Sequence, residues 1–111
     1  MLPRALALSA GLIATPAAAV TPILTTPAVA KAVRTGEILG GAGACGVPEA
    51  RVLAVARKVI YRIRDLAPSP NELRQAQAFH EEAVRWAAAR IKAGRGNCGE
   101  SLASFAALEA E

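Results

Sequence analysis

Few side chains in this sequence belong to the types that carry out covalent, metal or acid–base chemistry, and their spacing points away from catalysis. Cys45 and Cys98 are the two cysteines of the 111-residue chain, and His80 is its one histidine. Each cysteine closes a glycine-rich stretch, GGAGAC and GRGNC, just ahead of a helical pattern. A thioredoxin-like redox pair would need a CxxC spacing beside a strand–helix signal. A phosphate loop would need Gly-Lys-Ser/Thr opening a helix after a strand. A lipoprotein box would need cleavage directly before Cys45, some thirty residues past the apolar N-terminal run. One structural disulfide, Cys45–Cys98, is the reading left. It closes a loop of about 54 residues, for which chain entropy gives roughly 4 kcal/mol.

The stretch HEEAV supplies half of a zinc-protease motif, but Val84 occupies the position of the second ligand. One histidine with Glu81 and Glu82 cannot close a zinc site. No CxxCH is present for haem attachment, Asp65 is the only aspartate, and neither Ser101 nor Ser104 has an evident base. The sequence therefore predicts no cofactor, no metal and no enzyme. His80 falls within the apolar arc of its helix, so it is expected partly buried, where it could sense pH or line a pocket with Trp86.

The remaining candidates are contact residues. Arg57, Tyr61 and Arg64 recur at i, i+4 and i+7 on one helix face, and arginine and tyrosine are enriched at binding hot spots. These three are expected to meet an acidic protein partner.

The elements that must position these residues follow from punctuation and periodicity. MLPRALALSAGLIATPAAAV combines one early charge, Arg4, with a short apolar run and small residues after a Thr-Pro break. This is the pattern of a cleaved secretory signal, with the run too short to span a membrane. Cleavage is expected after Ala19, with Ala30 the second choice. About 92 residues then remain, enough for one small core. Loss of Arg4 lowers the basic count from 13 to 12 against 9 acidic residues, an even spread that does not suggest nucleic-acid binding. Abundant alanine and an excess of arginine over lysine fit a GC-rich bacterium. Localisation is expected to be periplasmic or secreted, with no stable membrane anchor after cleavage.

No stretch alternates like a half-buried strand, and four helical stretches fill the mature chain. The first starts at Thr26-Pro27 and is expected to fail at Gly40-Gly41; Gly36 and Gly40 form a GxxxG pair, which in a membrane would suggest helix dimerisation and in a soluble helix means close packing or chance. The second, PEARVLAVARKVIYRIRDLA, should bury Val52, Ala56, Val59, Ile63 and Leu66, with Val55 and Ile60 flanking. The third opens on the capping box Ser69-Pro70-Asn71-Glu72 and ends before Gly94. Its buried face should hold Leu73, Ala76, His80, Ala83, Val84, Ala87 and Ile91, widened by Phe79 and Trp86, with a Glu81–Arg85 surface pair. The fourth is capped by Asn97 and should bury Leu102, Phe105, Ala106 and Leu108.

The predicted fold is all-α: a small bundle of three to four helices closed by one disulfide after a cleaved signal peptide. Residues 1–19 are the signal, 20–44 an N-terminal segment with a weak helix and Gly-rich loop, and 45–111 the disulfide-closed helical domain. In size and layout the chain resembles small disulfide-bonded helical proteins that include acid-stress chaperones and amidase-immunity proteins, a likeness that carries no residue across. The expected function is non-catalytic binding of a protein partner in the periplasm, of inhibitor, immunity, adaptor or chaperone type, with a homodimer as a further option. The alternative is a small-molecule or lipid carrier with a pocket between the two long helices, near His80 and Trp86.

Overall fold

The computed structural model describes residues 26–111; the expected signal, residues 1–19, lies outside them. The described residues form four helices and no strand: α1 (Pro27–Ala44), α2 (Glu49–Leu66), α3 (Pro70–Lys92) and α4 (Cys98–Ala110). The chain is an all-α bundle closed by the Cys45–Cys98 disulfide, whose Cα atoms stand 5.5 Å apart.

The helix ends follow local chemistry. Thr26 caps α1, its hydroxyl accepting the Val29 amide at 3.3 Å, with Pro27 in the first turn. Ser69 accepts the Glu72 amide at 3.2 Å and Asn97 accepts the Glu100 amide at 3.0 Å. Each cap satisfies one donor that a helix start leaves unpaired. Gly94, at φ +76°, lets the chain leave α3 in the left-handed conformation, and the Arg95 amide returns to the Arg90 carbonyl.

Helix α1 is the centre of the bundle, where the sequence predicted a weak one. It continues through Gly40-Gly41 to Ala44 and packs chiefly on α3, then on α2 and α4; α2 touches α3 only sparsely. Ala28, Val29, Ala32, Thr35, Gly36, Leu39, Gly40, Gly41 and Ala42 are all buried. The Thr35 hydroxyl is satisfied by donating to the Lys31 carbonyl at 2.7 Å.

The reason lies in the glycines. A Cβ on Gly36 would stand 2.6 Å from the His80 carbonyl oxygen and 2.9 Å from the Ala83 Cβ, and one on Gly40 would run into the Val84 backbone. The GxxxG pair is thus a close-packing seam. Contacts advance together along the two helices, 36 with 80 and 83, then 40 with 84, so α1 and α3 run in the same direction. Gly41 lies by Ser101 and Cys45 is bonded to Cys98, so α4 runs back along α1.

Helix α2 buries Val55, Val59 and Ile63 on its central line, with Val52, Ala56 and Ile60 half-buried. Leu66, expected inside, is 43% exposed: as the last residue of its helix it lies beyond the packing. Helix α3 buries Ala76, Ala83 and Ala87, and its outer ion pair is Arg85–Glu82 at 3.5 Å in place of Arg85–Glu81. Helix α4 buries Phe105 and Leu108, leaving Leu102 and Ala106 exposed. Only one line of this short helix touches α1.

Candidate functional site

Helix α2 presents seven basic and acidic side chains on its outer side, and the fold divides them. Arg51 forms a two-pronged pair with the Glu109 carboxylate, at 2.7 and 3.0 Å. Lys58 donates to the Glu109 carbonyl at 2.8 Å, and Arg62 pairs with Glu111 at 3.0 Å. Arg51 also lies over the Phe105 ring at 5.3 Å. The mutual contact raises the Arg51 pKa and holds the Glu109 carboxyl below its ordinary value, first through the hydrogen bond and then through charge. These three cations fasten α2 to the end of α4.

Arg57, Tyr61 and Arg64 take no part in that clasp. All three are exposed, Tyr61 by 63%. The Arg64 guanidinium stacks on the Tyr61 ring at 5.4 Å from its centroid. Such a contact holds a flexible arginine over a rigid ring and is worth roughly 0.5–1 kcal/mol at an exposed site. Among the described residues Arg57 and Arg64 have no ion-pair partner. Leu53, 48% exposed, extends the row one turn toward the N-terminus; helical spacing from Arg57 and Tyr61 was the signal that could have found it.

His80 and Trp86 do not share a cavity. His80 lines a cavity of about 240 Å³ between α2 and α3 with Ile60, Ile63, Gln77 and Glu81. Its Nε2 is buried and makes no hydrogen bond. Burial lowers the imidazole pKa, and the nearby Glu81 carboxylate opposes this in part. This cavity is below the 300–1,000 Å³ usual for ligand pockets. Trp86 is 51% exposed and lines a different space, a groove between α1, α3 and α4. The two residues named for a carrier pocket therefore line separate spaces. The six-residue offset between them on α3 makes about one and two-thirds turns, which places them on different sides of the helix.

Among the described residues no group of three or more His, Cys, Asp and Glu side chains could hold a metal ion. No helix among them is long and apolar enough to cross a membrane. Comparison with protein-family models, curated proteins and solved structures finds no match.

Proposed function

We propose that this is an exported, non-catalytic helical protein that binds an acidic protein partner through the outer face of α2. One observation carries the reading. Of the cations on that helix, Arg51, Lys58 and Arg62 are engaged by the end of α4, while Arg57 and Arg64 stand exposed beside a stacked, exposed tyrosine. Exposed guanidiniums beside an aromatic ring suit carboxylates on a partner surface, with the ring supplying contact area at low entropic cost.

Export is supported by the N-terminal pattern and by a disulfide, which persists in oxidising compartments. The structure also bears on the choice of cleavage site. Cleavage after Ala30 would remove the Thr26 cap together with Ala28 and Val29, both almost fully buried. Cleavage after Ala19 leaves α1 whole.

The test is affinity capture of the tagged mature protein from the periplasm of its own host, wild type against Arg57→Glu/Arg64→Glu, read by quantitative mass spectrometry. One stoichiometric protein should be recovered with the wild type and lost with the double variant, whose helical circular dichroism stays unchanged. Equal recovery by both would remove this face as the contact surface. Many substoichiometric proteins in place of one would make the protein a chaperone with broad clientele.

A further inference from the structure

Helices α1, α3 and α4 leave between them a groove of about 700 Å³, within the range of small-ligand sites. It is separate from the α2 face and from the partner-binding reading. Gly40 seats α3 on α1, while Gly41 and the disulfide seat α4 on α1. The groove is the space left between two helices that share a support and barely meet each other.

Its lining is divided. Ile38, Ala87 and Ile91 make an apolar floor, and Trp86, the one tryptophan of the chain, forms a flat wall that remains half exposed. Three guanidiniums line it, from Arg34, Arg90 and Arg95. Arg90 makes two exposed contacts: it lies over the Trp86 ring at 4.9 Å and donates to the Arg95 carbonyl at 3.1 Å. A guanidinium has five N–H donors, so this anchoring leaves others for a ligand. Glu37 and Glu100 also line the groove. Even so, among the described residues none of the three arginines has an ion-pair partner.

We infer that this groove binds a small organic anion with a flat apolar body. The acid group sits at the Arg90–Arg95 end, and the body lies along Trp86 and the Ile38–Ala87–Ile91 floor. Three cations against two carboxylates favour an anion over a cation. The floor and the indole favour a body that water would otherwise have to solvate. A guanidinium already held by two contacts binds the acid group with less ordering cost than one with none.

The probe is 8-anilinonaphthalene-1-sulfonate, an acid group on a flat apolar body, titrated into the mature, disulfide-intact protein. Its neutral counterpart is N-phenyl-1-naphthylamine, which has a similar body and no sulfonate. Binding of the sulfonate should saturate at one per chain and quench Trp86 in step, because that side chain is the only tryptophan. Arg90→Gln and Arg95→Gln should each weaken it by about tenfold, the loss of one charge-assisted contact. Arg74→Gln, on the exposed surface of α3 and outside the groove, should leave it unchanged. The inference is overturned by absent or unsaturable binding, by equal binding of the neutral compound, by arginine variants that bind like the wild type, or by binding that leaves Trp86 unquenched.

Discussion

A single alanine placed at two glycines of α1 should have opposite effects on stability. At Gly40 the new methyl group would run into the backbone of Val84. No side chain can swing aside there, so α3 must move away from α1. Forcing extra atoms into a packed interior costs typically 1–3 kcal/mol. Replacing glycine by alanine within a helix returns up to about 1 kcal/mol. Because the obstacle is backbone, the upper part of the cost range applies, and Gly40→Ala should lose about 1–2 kcal/mol net. Gly43 lies in the same helix, is exposed, and has nothing within 4 Å of an added Cβ. There only the propensity gain remains, reduced by the nearby helix end, so Gly43→Ala should gain a few tenths of a kcal/mol. For a domain of this size 1 kcal/mol moves Tm by about 4–8 °C. Thermal melts followed by circular dichroism, on mature protein with the disulfide intact, will therefore separate the two variants by roughly 5–20 °C. If Gly40→Ala melts at or above the wild-type temperature, α1 and α3 are not pressed together as described.

Four further outcomes follow from the same structure. Cys45→Ser/Cys98→Ser should lose roughly 4 kcal/mol, comparable with the whole stability of a small domain, measured as a collapse of the urea midpoint; a shift under 1 kcal/mol would show the crosslink to be dispensable. Phe105→Ala, emptying the largest fully buried side chain, should cost about 3–5 kcal/mol by the same titration. Stability should also fall with acid through His80: with its folded pKa below the ordinary 6.5, the unfolded chain binds the proton first, so stability is intact above pH 6.5 and declines below it, by at most about 1.4 kcal/mol per pH unit. His80→Phe should flatten that decline below pH 6.5, and an equal slope in both proteins would show that His80 does not drive it; Glu109, whose pKa is held below 4.5, adds a separate loss only at lower pH. Finally, intact mass of the exported protein should place its first residue at Val20, and a start at Lys31 would contradict the role of Ala28 and Val29 in the core.

Much of the bundle was legible because its signals are local. A Ser or Asn side chain reaches an amide three residues on, so Ser69-x-x-Glu72 and Asn97-x-x-Glu100 mark helix starts without reference to anything else. The stripe of α2 was also legible, to within the shift that makes Val55 central and leaves Leu66 outside. Helix α1 was misjudged because its burial is carried by residues with no side chain. Gly36 and Gly40 add nothing to a hydrophobic period; their spacing offers close packing as one reading, but the backbone they fit, at His80 and Val84, is visible only in the fold. The candidate site divided along the same line. The exposure of Arg57, Tyr61 and Arg64 follows from their position opposite the apolar stripe. That Arg51, Lys58 and Arg62 are occupied depends on Glu109 and Glu111, roughly fifty residues away, and no helical spacing reports it. Helical spacing groups Trp86 with His80, because His80 lies within the apolar arc of α3 and Trp86 widens it. The neighbours that decide between them, α4 for one and α2 for the other, are set by tertiary packing.

The most direct measurement of the proposed function is site-specific photo-crosslinking in the native host. A benzophenone amino acid is placed at Tyr61 in one protein and at Ala78, exposed on α3, in another. The α2 face predicts one discrete adduct to a single acidic protein from position 61, none from position 78, and loss of the adduct when Arg57→Glu is added. Adducts of equal strength at both positions, or none at position 61, would contradict it.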